Sequence, residues 1–191
     1  SEDASMAVYA EPVVNRVYVT VCDCAEGGGG DYSAMLVIDV TETPFRVALR
    51  YRSNTISPTN YATVINGVSK KYNNALCVVE NNAAAGAIVC RELWFEHEYE
   101  NLLKTKIDDK ENKAGGSKTK IGVATTKKTK AVGCSTLKGL IENYALLPTD
   151  LNVIQELSTF VKVNNSYQAE KTKNDDLVMC CVIFSWLTTE D

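Results

Sequence analysis

The sequence predicts an α/β fold in which a mixed five-stranded sheet is flanked by helices, with an additional β-hairpin. Three observations favour this fold: three alternating β-branched segments lie near the start, a short apolar segment follows one amphipathic segment, and helical periodicity dominates the second half. With 191 residues and 45% hydrophobic content, the chain can bury the core of one domain. We therefore expect a single domain over residues 1–191.

The first three segments are typical of strands in an antiparallel meander. The alternating stretch 16–24 contains Asp23 near its end, and Gly27 to Gly30 then interrupt the pattern. The stretches 33–40 and 45–52 are the next two predicted strands, and the short connections between them favour antiparallel pairing.

The central part alternates between helix and strand. Pro58 begins an amphipathic helix that extends to Tyr72. Residues 75–80 are continuously apolar up to Glu80, which is typical of a buried parallel strand. A second helix over residues 83–97 follows.

The second half is mainly helical. We expect a lysine-rich loop or hairpin over about 104–126, a helix over 127–144, a short helix capped by Asp150, a hairpin around Asn164 and Asn165, and a last helix over 175–187 with one apolar face. Three strands, a helix, a strand and then further helices is the element order of the ribonuclease H-like fold.

The charge of the chain is unevenly distributed. The formal net charge is −4, yet residues 104–130 hold nine lysines and three acidic residues, a local net charge of +6 that leaves −10 elsewhere. A basic segment on an acidic body is typical of a phosphate-binding region beside a carboxylate site, although a solvated flexible loop has the same composition. The candidate DNA-binding residues are Lys118, Lys120, Lys127, Lys128 and Lys130.

Several functional classes are disfavoured. The seven cysteines lie mostly in apolar segments and the chain has one histidine, which argues against a zinc site and a histidine-based triad. No apolar stretch is long enough for a membrane span, and the acidic start does not resemble a signal peptide, so we expect a cytoplasmic protein without membrane contact. The Gly115–Thr119 stretch departs from the phosphate-binding loop of ATPases.

Four carboxylates interrupt apolar patterns at their edges. Asp23 and Glu80 end apolar strands, and Asp175 with Asp176 begins an apolar helix. Each position has an ordinary structural explanation as a turn or helix cap. Together they suggest an oxygen-ligand site for Mg²⁺ or Mn²⁺, because clustered buried carboxylates need a compensating cation. Such sites hydrolyse phosphodiesters with two metal ions, and Asp23 is the candidate bridge between them.

Five segments carry a resemblance to a known family. They are Val21–Gly27, Val78–Asn81, Lys127–Lys138, Asp175–Met179 and Val182–Leu187. These segments resemble the C-terminal nuclease domain of the large terminase subunit of T-even-like tailed bacteriophages, and the resemblance extends over nearly the whole chain from about Val17.

The resemblance implies a ribonuclease H/RuvC-like fold and a Mg²⁺-dependent endonuclease that cuts concatemeric viral DNA during packaging. It places the family's acidic triad on Asp23, Glu80 and Asp175, with Glu26, Gly27 and Asp176 as neighbours. The chain departs from the family at Asn174, where the family often has histidine.

The resemblance also implies partners. In that family the nuclease follows an ATPase motor domain, which this chain lacks, so the chain looks like an excised nuclease half. Double-stranded DNA, the motor domain, the portal and the small terminase subunit are the implied partners, in the host cytoplasm and transiently on the procapsid.

Two other interpretations remain open. A non-catalytic module of this fold would bind DNA or the portal without cleaving DNA. A junction resolvase of the same superfamily would dimerise and prefer four-way junctions.

Overall fold

The computed structural model describes residues 5–107, 118–163, 166–171 and 173–190. Its centre is a mixed sheet of six strands within the described residues, one of which is a two-residue strand described below. The other five are β1 (Met6–Val8), β2 (Tyr18–Asp23), β3 (Ser33–Asp39), β4 (Phe45–Ser53) and β5 (Leu76–Val79). Their order is β1-β4-β3-β2-β5. The antiparallel meander of β2, β3 and β4 and the parallel pairing of β5 with β2 confirm the predicted sheet.

In the described part of the chain, five α-helices cover the two faces of this sheet. They are α1 (Pro58–Lys71), α2 (Ala84–Arg91, continued by a π-helical turn over Glu92–Glu96), α3 (Lys127–Glu142), α4 (Leu151–Ser158) and α5 (Asp176–Leu187). One hydrophobic core lies between the sheet and α1 with α2, and a second lies between the sheet and the other three helices. Asp150 caps α4 as predicted, because its Oδ1 accepts the Val153 N–H at 2.9 Å.

Two hairpins lie outside the sheet, as the sequence predicts. The strands β6 (Lys104–Ile107) and β7 (Lys118–Ile121) are antiparallel, as are β9 (Phe160–Val163) and β10 (Ser166–Ala169). The predicted turns at Gly115–Gly116 and Asn164–Asn165 lie outside the described residues. Two very short strands were not predicted: β1, and β8 (Leu146–Leu147), which pairs in parallel with β4.

The last helix differs from its prediction. We expected one apolar face on α5, but residues 177–185 are all buried. The sheet covers one side of α5, while α3 and α4 cover the other. Gly133 allows α3 to approach closely, because a Cβ atom there would lie 2.4 Å from the Val182 carbonyl oxygen. The expectation of a single apolar face was therefore wrong.

Side-chain alternation along β2 and β5 directs two acidic residues to the face that α5 covers. Val19 and Val21 of β2 belong to the core on that face, as does Val78 of β5. Successive strand residues point to opposite faces, so Asp23 and Glu80 share the face of these valines. Both carboxylates thus lie at the carboxyl ends of neighbouring parallel strands.

The remaining sequence expectations concern cysteines and membrane contact. All seven cysteines are unpaired, and six of them are buried. Within the described ranges, no helix is long and apolar enough to cross a bilayer.

Candidate metal centre

Asp23 and Glu80 are neighbours because their strands are in parallel register. Cys22 pairs with Val79, and the Glu80 N–H donates to the Cys22 carbonyl oxygen at 2.8 Å. Extending this register by one residue places Asp23 beside Glu80. The two carboxyl groups are close enough to hydrogen-bond to each other. The first and second predicted ligands therefore meet as the sequence suggests.

The electrostatic environment of Asp23 concentrates negative charge. Burial raises the pKa of Asp23 well above its usual range, and the carboxyl groups of Glu80 and then Asp176 raise it further. The Cys24 N–H, which donates to Asp23, only partly offsets these effects. A carboxylate in these surroundings is stabilised either by a proton or by a cation.

Of the two aspartates at the start of α5, Asp176 is the one whose charge raises the pKa of Asp23. Burial raises the pKa of Asp176 itself to about 6, together with the nearby carboxylates of Asp175 and Asp31. Its own backbone N–H and that of Tyr32 donate to it. Asp175 instead occupies the N-cap position of α5, and its Oδ2 accepts the Ala169 N–H at 3.1 Å.

An open cleft of about 520 Å³ lies beside three of the four predicted carboxylates, and Glu80 is not among its lining residues. Asp23, Asp175 and Asp176 line it, as do the predicted neighbours Glu26, Gly27 and Asn174. In the part of the chain that the structure describes, no three carboxylate, histidine or thiol groups are arranged as the ligands of a single ion. Two of the candidate carboxylates instead accept hydrogen bonds from the protein: Glu80 from the Asn82 side chain and Asp175 from the Ala169 N–H.

Gly27 is explained by packing. Its φ angle is +77°, and a Cβ atom there would lie 2.3 Å from the Ile56 carbonyl oxygen. Only glycine adopts this conformation without displacing the backbone at Ile56. The close approach of backbone at this position is to Ile56, which supports the interpretation as a structural loop.

Asn82 is a site residue that the sequence did not reveal. Its Nδ2 donates to Glu80 Oε1 at 3.0 Å, and its Oδ1 accepts the Thr125 N–H at 2.9 Å. The amide therefore links the Glu80 carboxylate to the segment that begins α3. The polar residues that follow β5 were the only sequence signal, and polar residues are ordinary after a strand.

Glu156 is a second residue that the sequence did not reveal. It lies in α4 with only 6% of its surface exposed. Burial raises its pKa to about 7, although N–H groups of Val178 and Leu177 and the charge of Arg52 oppose that rise. In the sequence, Glu156 is an ordinary acidic residue of an amphipathic helix.

The predicted DNA-binding lysines have different surroundings. Lys120 Nζ donates to the Asn81 carbonyl oxygen at 2.8 Å, so its ammonium group already has a partner within the protein. Lys127 and Lys128 are exposed in the first turn of α3, and Lys130 is partly buried with its Nζ 5.8 Å from the centre of the Phe160 ring. The Lys118 side chain lies outside the described residues.

Solved structures share this arrangement of elements. The large terminase nuclease from the thermophilic phage G20c with bound magnesium aligns with a TM-score of 0.71 and 19% identity, over 95% of this chain and 87% of that one. The cobalt-bound form of the same nuclease gives 0.71 and 18% over the same shares. The large terminase nuclease domain of Thermus phage P74-26 gives 0.70 and 18%, over 96% of this chain and 85% of that one.

A family model extends the comparison from fold to sequence. The model for the terminase RNaseH-like domain matches residues 20–184, which include the four predicted carboxylates. It spans the sheet from β2 onward and ends within α5. The chain therefore belongs to the family of terminase RNaseH-like domains, and the predicted ribonuclease H-like fold is confirmed.

Proposed function

We propose that the chain is the metal-dependent endonuclease domain of a large terminase subunit, of the T-even-like group, which cuts concatemeric viral DNA during genome packaging. The observation that carries this proposal is the pairing of Asp23 with Glu80 at the end of two parallel strands, where Asp176 is near enough to raise the pKa of Asp23 and an open cleft lies beside them. Family membership supports the same activity.

The donor set fits a hard divalent cation such as Mg²⁺, with Mn²⁺ as a substitute. The candidate ligands are carboxylate oxygens, and burial, followed by repulsion from the neighbouring carboxylates, raises the pKa of Asp23. The magnesium and cobalt in the G20c nuclease structures support a divalent ion in this chain also. When bound, two such ions supply Lewis acidity for phosphodiester hydrolysis.

The protein's own contribution is to hold the ligands in place. Asp23, whose pKa is raised by both Glu80 and Asp176 after burial, is the proposed bridging ligand. Asn82 orients Glu80 through a 3.0 Å hydrogen bond, and the Tyr32 N–H orients Asp176. We assign Asp176 the position beside Asp23. Asp175, which accepts the Ala169 N–H, takes the outer position in the same cleft.

The start of α3 is the proposed contact with the DNA backbone. Its first turn carries Lys127, Lys128 and Lys130 and no acidic residue. Lysine side chains are unfavourable beside the positive end of the helix dipole. A phosphate there is favoured both by the lysine charges and by the dipole. Thr125, two residues earlier, bonds to Asn82 and so brings this turn near Glu80. Phosphate contacts imply low sequence specificity.

Family membership supports a proposal for the wider setting. We propose that residues 1–191 form one nuclease domain of a longer protein with an ATPase motor domain. Double-stranded DNA is the substrate, and the portal and small terminase subunit are the proposed partners. The site of action is the host cytoplasm, with transient docking on the procapsid.

Plasmid cleavage tests the proposal. The wild-type chain is expected to nick and linearise supercoiled plasmid in Mg²⁺ or Mn²⁺ and to lose activity in EDTA. Asp23→Asn should reduce the cleavage rate by about a hundredfold or more, because it removes one negative charge from the site.

A matched control and a binding measurement complete this test. Glu142→Gln neutralises an exposed carboxylate at the far end of α3 and should cleave at the wild-type rate. Equal rates in wild type and Asp23→Asn would contradict the assignment. DNA binding without cleavage at any metal concentration would favour the non-catalytic module instead.

A further inference from the structure

Glu156 caps the helix that carries the aspartate pair, although it lies in another helix. Its Oε2 accepts the N–H groups of Leu177 at 2.8 Å and Val178 at 3.1 Å. The first N–H groups of a helix have no intrahelical acceptor. Asp175, at the N-cap position, makes no side-chain capping bond. The Glu156 carboxylate therefore takes over the function that an N-cap side chain usually performs.

The other oxygen of Glu156 is tied to the sheet. Its Oε1 accepts from Arg52 Nη1 at 3.3 Å. The Arg52 guanidinium lies 4.5 Å from the centre of the Tyr32 ring, and the Tyr32 backbone N–H donates to Asp176. Glu156 and Arg52 thus connect the end of β4 to the first turn of α5 from two directions.

We propose that Glu156 is a positioning residue that fixes the first turn of α5 and, through it, the Asp176 carboxylate in the metal site. Leu177 and Val178 directly follow Asp176, so a shift of their N–H groups moves the Asp176 backbone with them. Glu156 acts through this backbone. The inference rests on the proposed metal site and adds a residue to it.

A purely structural role for Glu156 makes a different prediction. If the carboxylate only stabilised the fold, its loss would lower the free energy of unfolding without changing affinity for metal in the folded protein. Positioning residues behind metal ligands typically change metal affinity by about 10- to 100-fold when they are lost. Metal affinity therefore separates the two roles.

The experiment measures Mn²⁺ binding to the full chain from the electron paramagnetic resonance signal of free Mn²⁺. Glu156→Leu removes the acceptor and should weaken binding by roughly 10-fold or more. Glu156→Gln keeps an oxygen that can accept both N–H groups and should remain within about threefold of wild type. Val153→Ala, which truncates a fully buried side chain in the same helix, is the matched control for lost stability and should bind Mn²⁺ like wild type.

Four outcomes would count against the inference. Wild-type affinity in Glu156→Leu, or equal weakening in Val153→Ala, would overturn it while leaving the proposed function intact. Absence of Mn²⁺ binding by the wild-type chain would contradict the proposed function and the inference with it. Should Glu156→Leu fail to fold, Glu156→Asp decides, because it keeps the charge but is too short to reach both N–H groups; unchanged affinity in that variant would overturn the inference.

Discussion

The carboxylates of the candidate site are held by two kinds of secondary structure, a pair of strands and the start of a helix. Asp23 and Glu80 are fixed by the register of two parallel strands. Asp175 and Asp176 are fixed by the beginning of a helix whose N–H groups bond to Glu156. The strand pair thus depends on backbone pairing within the sheet, whereas the helix pair depends on a side-chain contact from another helix.

Two lysines with different partners provide a test at this scale. Lys128→Met should weaken DNA binding and lower the slope of log K against log salt by about one, because one phosphate contact is lost. Lys120→Met should change that slope much less, since the Lys120 ammonium already bonds to the Asn81 carbonyl oxygen. Titrations of a duplex at four salt concentrations measure both slopes.

A larger slope change in Lys120→Met than in Lys128→Met would reverse this assignment and place the β6–β7 hairpin, formed by residues 104–107 and 118–121, on the DNA. The melting temperature in low salt gives an independent measure of any structural contribution by Lys120.

The sequence predicted the positions of those candidate residues whose surroundings follow from their neighbours in the chain. Asp23 and Glu80 could be predicted because each interrupts an apolar strand at its end, and alternation then fixes the face. Glu156 could not be predicted, because its capping partner Leu177 lies 21 residues away in the sequence. Asn82 was missed for a similar reason, since its anchor is the Thr125 backbone 43 residues away.

Among the elements, prediction succeeded where length and periodicity were sufficient. The meander, α1 and the parallel strand were correctly predicted. The strands β1 and β8, of three and two residues, are too short to carry a pattern. The burial of residues 177–185 on every side of α5 was missed, because helical periodicity shows which face of a helix is most apolar but not what packs against the other faces.

The packing of α3 on α5 can be tested with two glycines of the same helix. Gly133→Ala should lower the free energy of unfolding by about 1–3 kcal/mol, because the new methyl group would collide with the Val182 carbonyl oxygen. Gly139→Ala has nothing within 4 Å of the new methyl group and should raise stability by about 0.5–1 kcal/mol. Urea unfolding at a common pH measures both changes. Stabilisation by Gly133→Ala would contradict the close approach.

For the molecule as a whole, a buried ion pair joins three parts of the chain. Asp150, the N-cap of α4, accepts a hydrogen bond from Arg50 Nε in β4 at 3.0 Å. It accepts another from the hydroxyl group of Tyr9, the residue that follows β1. Burial alone would raise the pKa of Asp150, but the bonds from Tyr9, the Val153 N–H and Arg50 lower it below its usual 3.8. The ionised form is therefore the one that the fold stabilises.

This ion pair predicts how stability depends on pH. Asp150→Asn keeps the helix cap but removes the charge, and should cost about 3 kcal/mol near neutral pH because Arg50 stays buried beside a neutral group. A carboxyl group whose pKa is lower in the folded state than in the unfolded state contributes its full stability at pH values above the unfolded-state pKa. This contribution is lost as the pH falls through the folded-state pKa. The difference between wild type and Asp150→Asn should thus be constant above about pH 5 and shrink below about pH 4.

Urea midpoints of the two proteins between pH 3 and pH 7 provide the measurement. The subtraction cancels the titration of all other carboxylates. A difference that stays constant down to pH 3 would indicate that Asp150 does not titrate with the depressed pKa.

The burial of α5 on all sides has a consequence for the timescale on which the candidate site can rearrange. Amide protons exchange with solvent through local opening where an element is exposed, but only through global unfolding where it is enclosed. Residues 177–185 of α5 are buried between the sheet and two helices, so their amides are expected to exchange through global unfolding. Asp176 is therefore expected to keep its backbone position for as long as the domain stays folded, and the slowest-exchanging amides of the protein should lie within a few residues of it.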